Sequence, residues 1–158
     1  MKPFYIAKYS VTWVQYRAFL EDPDGYRNRE WWAGLLGQHK EPGLQFQPYD
    51  NNSAENVSWL DAVAFCHWLS ERLGYEIRLP TEWEWQQAAT GGDPSNAFPW
   101  GAEWDSGRAN TYESGLSSIT AVGIYPHGAS PVGALDMSGS VSPASGVGLF
   151  GAHPAASG

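Results

Sequence analysis

The chain has 158 residues, enough for one domain, because two cores of half that size would each bury too little apolar surface. Its formal net charge of -8 argues against nucleic acid and against an anionic membrane as partners, since both attract clusters of Lys and Arg. The single cysteine, Cys66, excludes an internal disulfide and any metal site built from several thiolates. Nine Trp, eight Tyr and six Phe indicate either a loop-rich domain whose irregular segments are held in place by aromatic side chains, or a ligand-binding surface.

A short strand and a helix open the chain. Alternation over residues 4–8 predicts the strand. The capping-box pattern of Thr12 with Gln15 predicts a helix through Leu20, which Pro23 ends. No sustained period follows over residues 24–56, so we predict a long loop with one helical turn, of a length that is usually functional or an insertion.

The second helix is the clearest element of the sequence. Ser58 and Asp61 form a capping box, the helix runs from Trp59 to Leu73, and Gly74 suits a left-handed C-cap. Within this helix a small buried thiol is the ordinary interpretation of Cys66, and a reactive thiol is the alternative. Its predicted inner face comprises Trp59, Val63, Cys66 or His67, and Ser70 or Leu73.

The later elements are shorter. We predict a strand over 75–79, a third helix over 82–89 opened by the capping box of Thr81 with Glu84, and a strand over 121–125 before a series of turns. Residues 142–158 are rich in Ser, Gly, Ala and Pro. Because such residues cannot offset an ordering entropy of about 1–2 kcal/mol each, we expect a disordered tail after a domain over 1–141.

Other chemistry has little support in the sequence. The four histidines lack metal-ligand spacing, and no phosphate-binding loop, dinucleotide fingerprint or nucleophile elbow occurs. No stretch approaches the roughly 20 apolar residues of a membrane span, and we expect no signal peptide because the first residues lack its apolar core. The sequence therefore predicts a cytoplasmic protein without a membrane partner.

An ordered set of motifs resembles the formylglycine-generating enzyme (sulfatase-modifying factor) family. The resemblance covers residues 4–141 and implies an irregular, loop-rich α+β fold related to C-type lectins. The matching blocks, in chain order, are Tyr9–Thr12, Tyr16–Leu20, Val57–Ala62, Phe65–Ser70, Arg78–Trp85, Ala88–Ala89, Pro99–Gly101, Ala109–Asn110, Gly128–Pro131 and Leu135–Gly139.

The resemblance also implies an activity. Active members of the family oxidise a sulfatase cysteine to formylglycine with molecular oxygen and a copper ion held by two cysteines near the end of the domain. Here Ser140–Ala144 replaces the expected Asn-Val-Trp-Glu-Trp, and no cysteine follows. Without two thiolates copper lacks its soft ligands, so we expect a catalytically incomplete, truncated or frameshifted chain, and we assign no catalytic residue and no copper ligand.

Calcium is the second metal that the resemblance implies. One family site maps to Asn110 and the carbonyl of Thr111, and a second maps to Asp136, Gly139 and Val141. The carboxylate of the second site falls on Pro143, which weakens it. For Asn110 the alternative is a loop residue that bonds nearby backbone.

Three functional hypotheses follow. The first is an incomplete formylglycine-generating type oxidase. The second is a C-type-lectin-like module that binds a protein, peptide or other ligand through loop tryptophans. The third is a competent oxidoreductase that uses Cys66 or a partner chain. We also expect marginal stability or self-association, because Trp59, Trp68 and Trp85 would lack the strands that cover them in the family. The loop tryptophans of the second hypothesis are Trp31, Trp32, Trp100 and Trp104.

Overall fold

The computed structural model describes residues 3–111, 118–138 and 152–154. In chain order, these comprise strand β1 (Phe4–Ile6), helix α1 (Trp13–Glu21), a 3-10 helix (Arg29–Trp32), helix α2 (Trp59–Leu73), helix α3 (Glu82–Thr90), a 3-10 turn (Pro126–Gly128) and strand β2 (Ala152–Pro154). Three helices, little strand and long irregular connections make this an α+β arrangement, as predicted.

Local capping defines where the three helices begin. The Thr12 N–H donates to Oε1 of Gln15, and Ser58 and Thr81 each accept from the backbone N–H three residues on. Two of the helices end in the left-handed conformation that glycine adopts without strain, at Gly74 (φ 74°) and Gly91 (φ 67°). The predicted helices and their caps are therefore confirmed.

The main core joins α1, the 3-10 helix and α2. Phe19 is fully buried and its ring lies 5.8 Å from that of Phe65 and 5.4 Å from that of Trp68. Tyr26 packs edge-on against Trp32 at 5.2 Å, which brings the 24–40 segment onto the same core. A smaller cluster packs α3 against residues near the end of the described chain, namely Ala88, Ala89, Ala134 and Met137.

The inner face of α2 matches the prediction at Cys66, which is buried, and differs from it at Trp59. Trp59 is 65% exposed, whereas Phe65 and Trp68 are buried, together with Asp61 and Ala62 one turn earlier. The face of α2 that contains Asp61, Phe65 and Trp68 therefore packs toward α1, because this face carries the two large rings. Trp68 is also covered by described residues, contrary to the expectation that it would need later strands.

Two predicted strands do not form. The 75–79 segment is tied to the end of α2 by the Ile77 N–H, which donates to Oγ of Ser70 at 2.7 Å. In the 121–125 segment Ala121 makes one isolated bridge to Asn52, and a turn follows immediately. Alternation alone does not supply a neighbouring strand, and in the described ranges each segment has only a single bridge residue, Arg78 in the first and Ala121 in the second.

The described sheet consists of β1 and β2, which pair antiparallel with Phe4 opposite Pro154 and Ile6 opposite Ala152. Apart from β2, the tail for which we predict disorder lies outside the described residues. The longest described helix has 15 residues, and none in the described ranges has the length and apolar character needed to cross a bilayer.

Candidate functional site

Asn110 and Asp136, two of the calcium ligands that the resemblance implies, bond to the two ends of one irregular segment, 118–123. Asn110 is buried, and its Nδ2 donates to the Ser118 carbonyl at 2.8 Å. On the other side, the Gly123 N–H donates to Oδ2 of Asp136 at 2.6 Å. Both side chains therefore anchor backbone, which is the alternative that the sequence already offered for Asn110.

Asp136 adopts an uncommon backbone conformation for a non-glycine residue, with φ of 60°. Asp tolerates this left-handed region better than most residues. Of the remaining members of the implied set, Thr111 is described and half-buried, whereas Gly139 and Val141 lie outside the described residues. Within the described ranges no three His, Cys, Asp or Glu side chains come together as metal ligands, so calcium at this place stays a prediction.

Cys66 does not provide a copper site. Its thiol is buried in the middle of α2, and desolvation raises its pKa to about 12. The copper site that the resemblance implies uses two cysteine thiolates, and this sequence encodes one cysteine, in a position where the thiolate is strongly disfavoured. The residues of this chain therefore do not fit the family's copper ion.

A cluster of polar groups that the sequence did not reveal surrounds Asp61. Its Oδ1 accepts from the Tyr26 hydroxyl at 2.9 Å, and its Oδ2 accepts from the Ser58 N–H at 3.0 Å. His39 approaches the same Oδ2 with Nδ1 at 3.3 Å. Burial, followed by the hydrogen bond to Asp61, raises the pKa of Tyr26. Asp61 was predicted as a capping residue, but no periodic signal placed Tyr26 or His39 beside it.

This cluster contains Ser, His and Asp but does not have the geometry of a nucleophilic triad. Oγ of Ser58 and Oδ2 of Asp61 both lie 3.3 Å from the same ring nitrogen of His39, Nδ1. A triad uses the two ring nitrogens separately, one toward the nucleophile and one toward the carboxylate. The arrangement therefore fixes the 24–40 segment to the start of α2.

The loop tryptophans divide into two groups. Trp31 and Trp32 are buried, and their indole N–H groups donate to the carbonyls of Asp24 and Tyr26, so their prediction as a ligand surface is wrong. The reason is that the 3-10 helix turns both rings onto the core.

Trp100 and Trp104 lie nearer to solvent, as the sequence suggested. Trp100 stacks on Phe98 at 5.5 Å with an interplanar angle of 8°, and Trp104, 39% exposed, lies 5.8 Å from Trp100. An open cavity of about 590 Å³ beside these rings is also lined by Asp105 and Arg108, which form an ion pair at 2.9 Å. This is a partly apolar, partly charged surface of the kind that binds ligands.

Together these features describe a loop-rich α+β domain in which capped helices and buried aromatic side chains hold the irregular segments in place. The sequence model of the sulfatase-modifying factor enzyme 1-like domain matches residues 1–143, and the chain belongs to this family. The recognition made from the motifs is therefore confirmed.

Relatives in the family differ in what their names describe. Hercynine oxygenase from Mycolicibacterium thermoresistibile is 32% identical, over 87% of this chain and 34% of its own length. Formylglycine-generating enzyme from Thermomonospora curvata is 29% identical, over 65% of this chain and 42% of its own. Inactive C-alpha-formylglycine-generating enzyme 2 from Bos taurus is 38% identical, over 50% of this chain and 24% of its own. The chain thus spans less than half the length of each of these relatives.

Proposed function

We propose that this chain forms the helical and aromatic framework of a sulfatase-modifying factor domain and does not by itself oxidise cysteine to formylglycine. The observation that carries the proposal is the state of its one thiol. Cys66 is 2% exposed, its pKa is raised to about 12, and the sequence encodes no second thiol that could share a copper ion with it. The name of the inactive bovine relative supports the idea that loss of activity is compatible with the family.

Cu(I) titration tests this proposal. We expect the purified chain to bind Cu(I) no better than its Cys66→Ser variant, and neither protein to consume oxygen in the presence of a cysteine peptide that copies a sulfatase sequence. Oxygen consumption coupled to loss of the peptide thiol would overturn the proposal. Tight binding of Cu(I) by the wild type alone would instead favour the version in which Cys66 serves as a ligand.

A second candidate function is ligand display by a C-type-lectin-like module, favoured by the partly exposed rings of Trp100 and Trp104. Aromatic rings next to charged groups provide both apolar contact and orientation. A panel of immobilised glycans and peptides, probed with wild type and with Trp104→Ala, tests it. We expect loss of any specific signal in the variant without a change in melting temperature. A signal that survives the substitution would place the ligand elsewhere.

Self-association is part of the same proposal. Trp59 and Trp83 are 65% and 61% exposed, so two large apolar side chains face solvent on neighbouring helices. Sedimentation velocity at several protein concentrations should show a concentration-dependent species, and a single monomeric boundary throughout would contradict this.

A further inference from the structure

An open cavity of about 600 Å³ lies in the 24–40 segment, away from every residue discussed for copper or calcium. That volume is within the range of small-molecule sites. Two of its lining residues, Tyr26 and Trp32, are buried members of the main core. The Trp32 Nε1–H and the Gln38 side-chain amide both donate to the Tyr26 carbonyl, at 3.0 and 3.2 Å. The base of the cavity is therefore held in place by the core.

The exposed part of the lining is basic. Arg27, Arg29, Lys40 and His39 all line the cavity, and no Asp or Glu does. The entire chain has only nine Lys and Arg and a net charge of -8, so a third of its Lys and Arg residues converge on one concave surface. Two carboxylates act on the lining from outside it, since Asp61 lies 3.3 Å from His39 and Glu41 adds to the effects of burial and of Asp61 that raise the pKa of Tyr26, and the three Lys and Arg side chains outnumber them.

These cations also differ from the other described arginines in their partners. Within the described ranges, Arg27, Arg29 and Lys40 have no ion pair, although each is exposed. Like charges without a counter-charge repel one another, and a bound anion would neutralise them and remove this repulsion. The other arginines each pair with a carboxylate, as Arg17 with Asp50, Arg72 with Asp22, Arg78 with Glu84 and Arg108 with Asp105.

We propose that this cavity binds a small organic anion that carries at least two negative charges on carboxylate or phosphate groups. Two guanidinium groups each offer a planar set of donors that matches such oxygens in pairs, and Lys40 adds a flexible point charge. The half-buried side chain of Leu35, which also lines the cavity, provides apolar surface for the body of the ligand. The site is independent of the proposed function, because it uses neither Cys66 nor a metal ion.

Isothermal titration with pyrophosphate and with citrate at about 0.15 M salt, where charges more than about 8 Å apart are largely screened, tests the proposal. We expect one of the two to bind saturably, and Arg27→Gln and Arg29→Gln each to weaken that binding by about three- to fivefold, the upper part of the range for an exposed charge pair. The two probes distinguish phosphate from carboxylate recognition. The matched control is Lys8→Gln, which removes the same charge from a cation that lies against the Tyr9 ring and outside the cavity.

The Lys8→Gln control distinguishes binding in this cavity from general electrostatic attraction between the anion and the protein surface. Under the proposal Lys8→Gln changes the dissociation constant by less than about twofold, because long-range charge effects on an exposed surface are screened. Equal weakening by all three variants, or no saturable binding of either anion, would overturn the proposal. Melting temperatures of the variants should match the wild type, since the three substituted side chains form no ion pair within the described ranges.

Discussion

Arg78 and Glu84 form a two-pronged ion pair, in which Nη1 and Nη2 of the guanidinium each lie 2.7 Å from a different carboxylate oxygen. The same carboxylate accepts from the Thr81 N–H at 2.8 Å, so one side chain both caps α3 and ties it to the segment before it. The hydrogen bond from Arg78, followed by those from Thr81, lowers the pKa of Glu84 from 4.5 to about 2.

This pair predicts a specific acid sensitivity. Because the folded pKa of Glu84 lies below its unfolded value, its contribution to stability is complete above pH 4.5 and is lost as the pH falls toward about 2. We expect about 1–2 kcal/mol, less than the full shift implies, since a third of the Arg78 side chain is exposed. Urea unfolding of wild type and Glu84→Gln between pH 5 and pH 2 measures it. Identical pH dependence in both proteins would contradict the assignment.

The polar cluster around Asp61 makes a second prediction. Ser58→Ala removes one cap and should cost about 1 kcal/mol of unfolding free energy. Asp61→Ala should cost about 2–4 kcal/mol, because it also leaves the buried Tyr26 hydroxyl without its acceptor. Denaturant melts of both variants provide the comparison.

Tyr26→Phe tests whether these groups act together. In the double variant with Asp61→Ala, the loss should be smaller than the sum of the two single losses by about 1 kcal/mol, as is typical of residues in one hydrogen-bond network. Strict additivity would show that the hydroxyl and the carboxylate do not interact in solution.

The helices could be predicted from the sequence because their signals are local. The pairs Thr12 with Gln15, Ser58 with Asp61 and Thr81 with Glu84 each lie within one turn and need no partner from elsewhere in the chain. The strand predicted over 75–79 failed because a strand also needs a distant neighbour. The basic cavity was missed for the same reason, since only the fold places His39 and Lys40 beside Arg27.

Burial of individual rings was the least predictable property. Trp31 and Trp32 occur in an irregular stretch, where composition is equally consistent with core and with ligand surface. Trp59 occurs in a strongly predicted helix, yet most of its ring faces solvent. Exposure depends on the rotation of each element about its axis, which residues far away in sequence determine.

The difference in exposure between Trp32 and Trp59 gives a third prediction. Trp32→Ala should reduce the free energy of unfolding by about 3–5 kcal/mol, because it empties a packed position next to Tyr26. Trp59→Ala should change it by about 0.5 kcal/mol or less, as is usual for an exposed side chain. Thermal melts of both variants check it, and similar losses in the two would mean that Trp59 is covered in solution.

The two left-handed helix caps give a fourth prediction with an internal control. In Gly74→Ala the new Cβ would meet no atom within 4 Å. The substitution should therefore reduce the free energy of unfolding only by the backbone strain at its φ of 74°, about 1 kcal/mol. Gly91→Ala carries a similar strain, and its new Cβ would lie 2.8 Å from Cβ of Pro131. We therefore expect the second variant to be the less stable by at least about 1 kcal/mol, in urea or thermal unfolding. Equal losses would mean that the Pro131 loop moves aside freely.

The reactivity of Cys66 provides the last prediction and bears directly on the proposed function. Because burial raises its thiol pKa to about 12, almost no thiolate exists at neutral pH, and the thiolate is the form that reacts with disulfides and binds soft metals. The native protein should therefore react with an aromatic disulfide reagent at least about a hundred times more slowly than the same protein in denaturant, where both the pKa and the access of the thiol become ordinary. Stopped-flow absorbance with and without 6 M guanidinium, about the concentration that unfolds most domains, measures both rates. Comparable rates in the two conditions would show that the thiol is accessible in the folded state, which would revive Cys66 as a metal ligand or nucleophile.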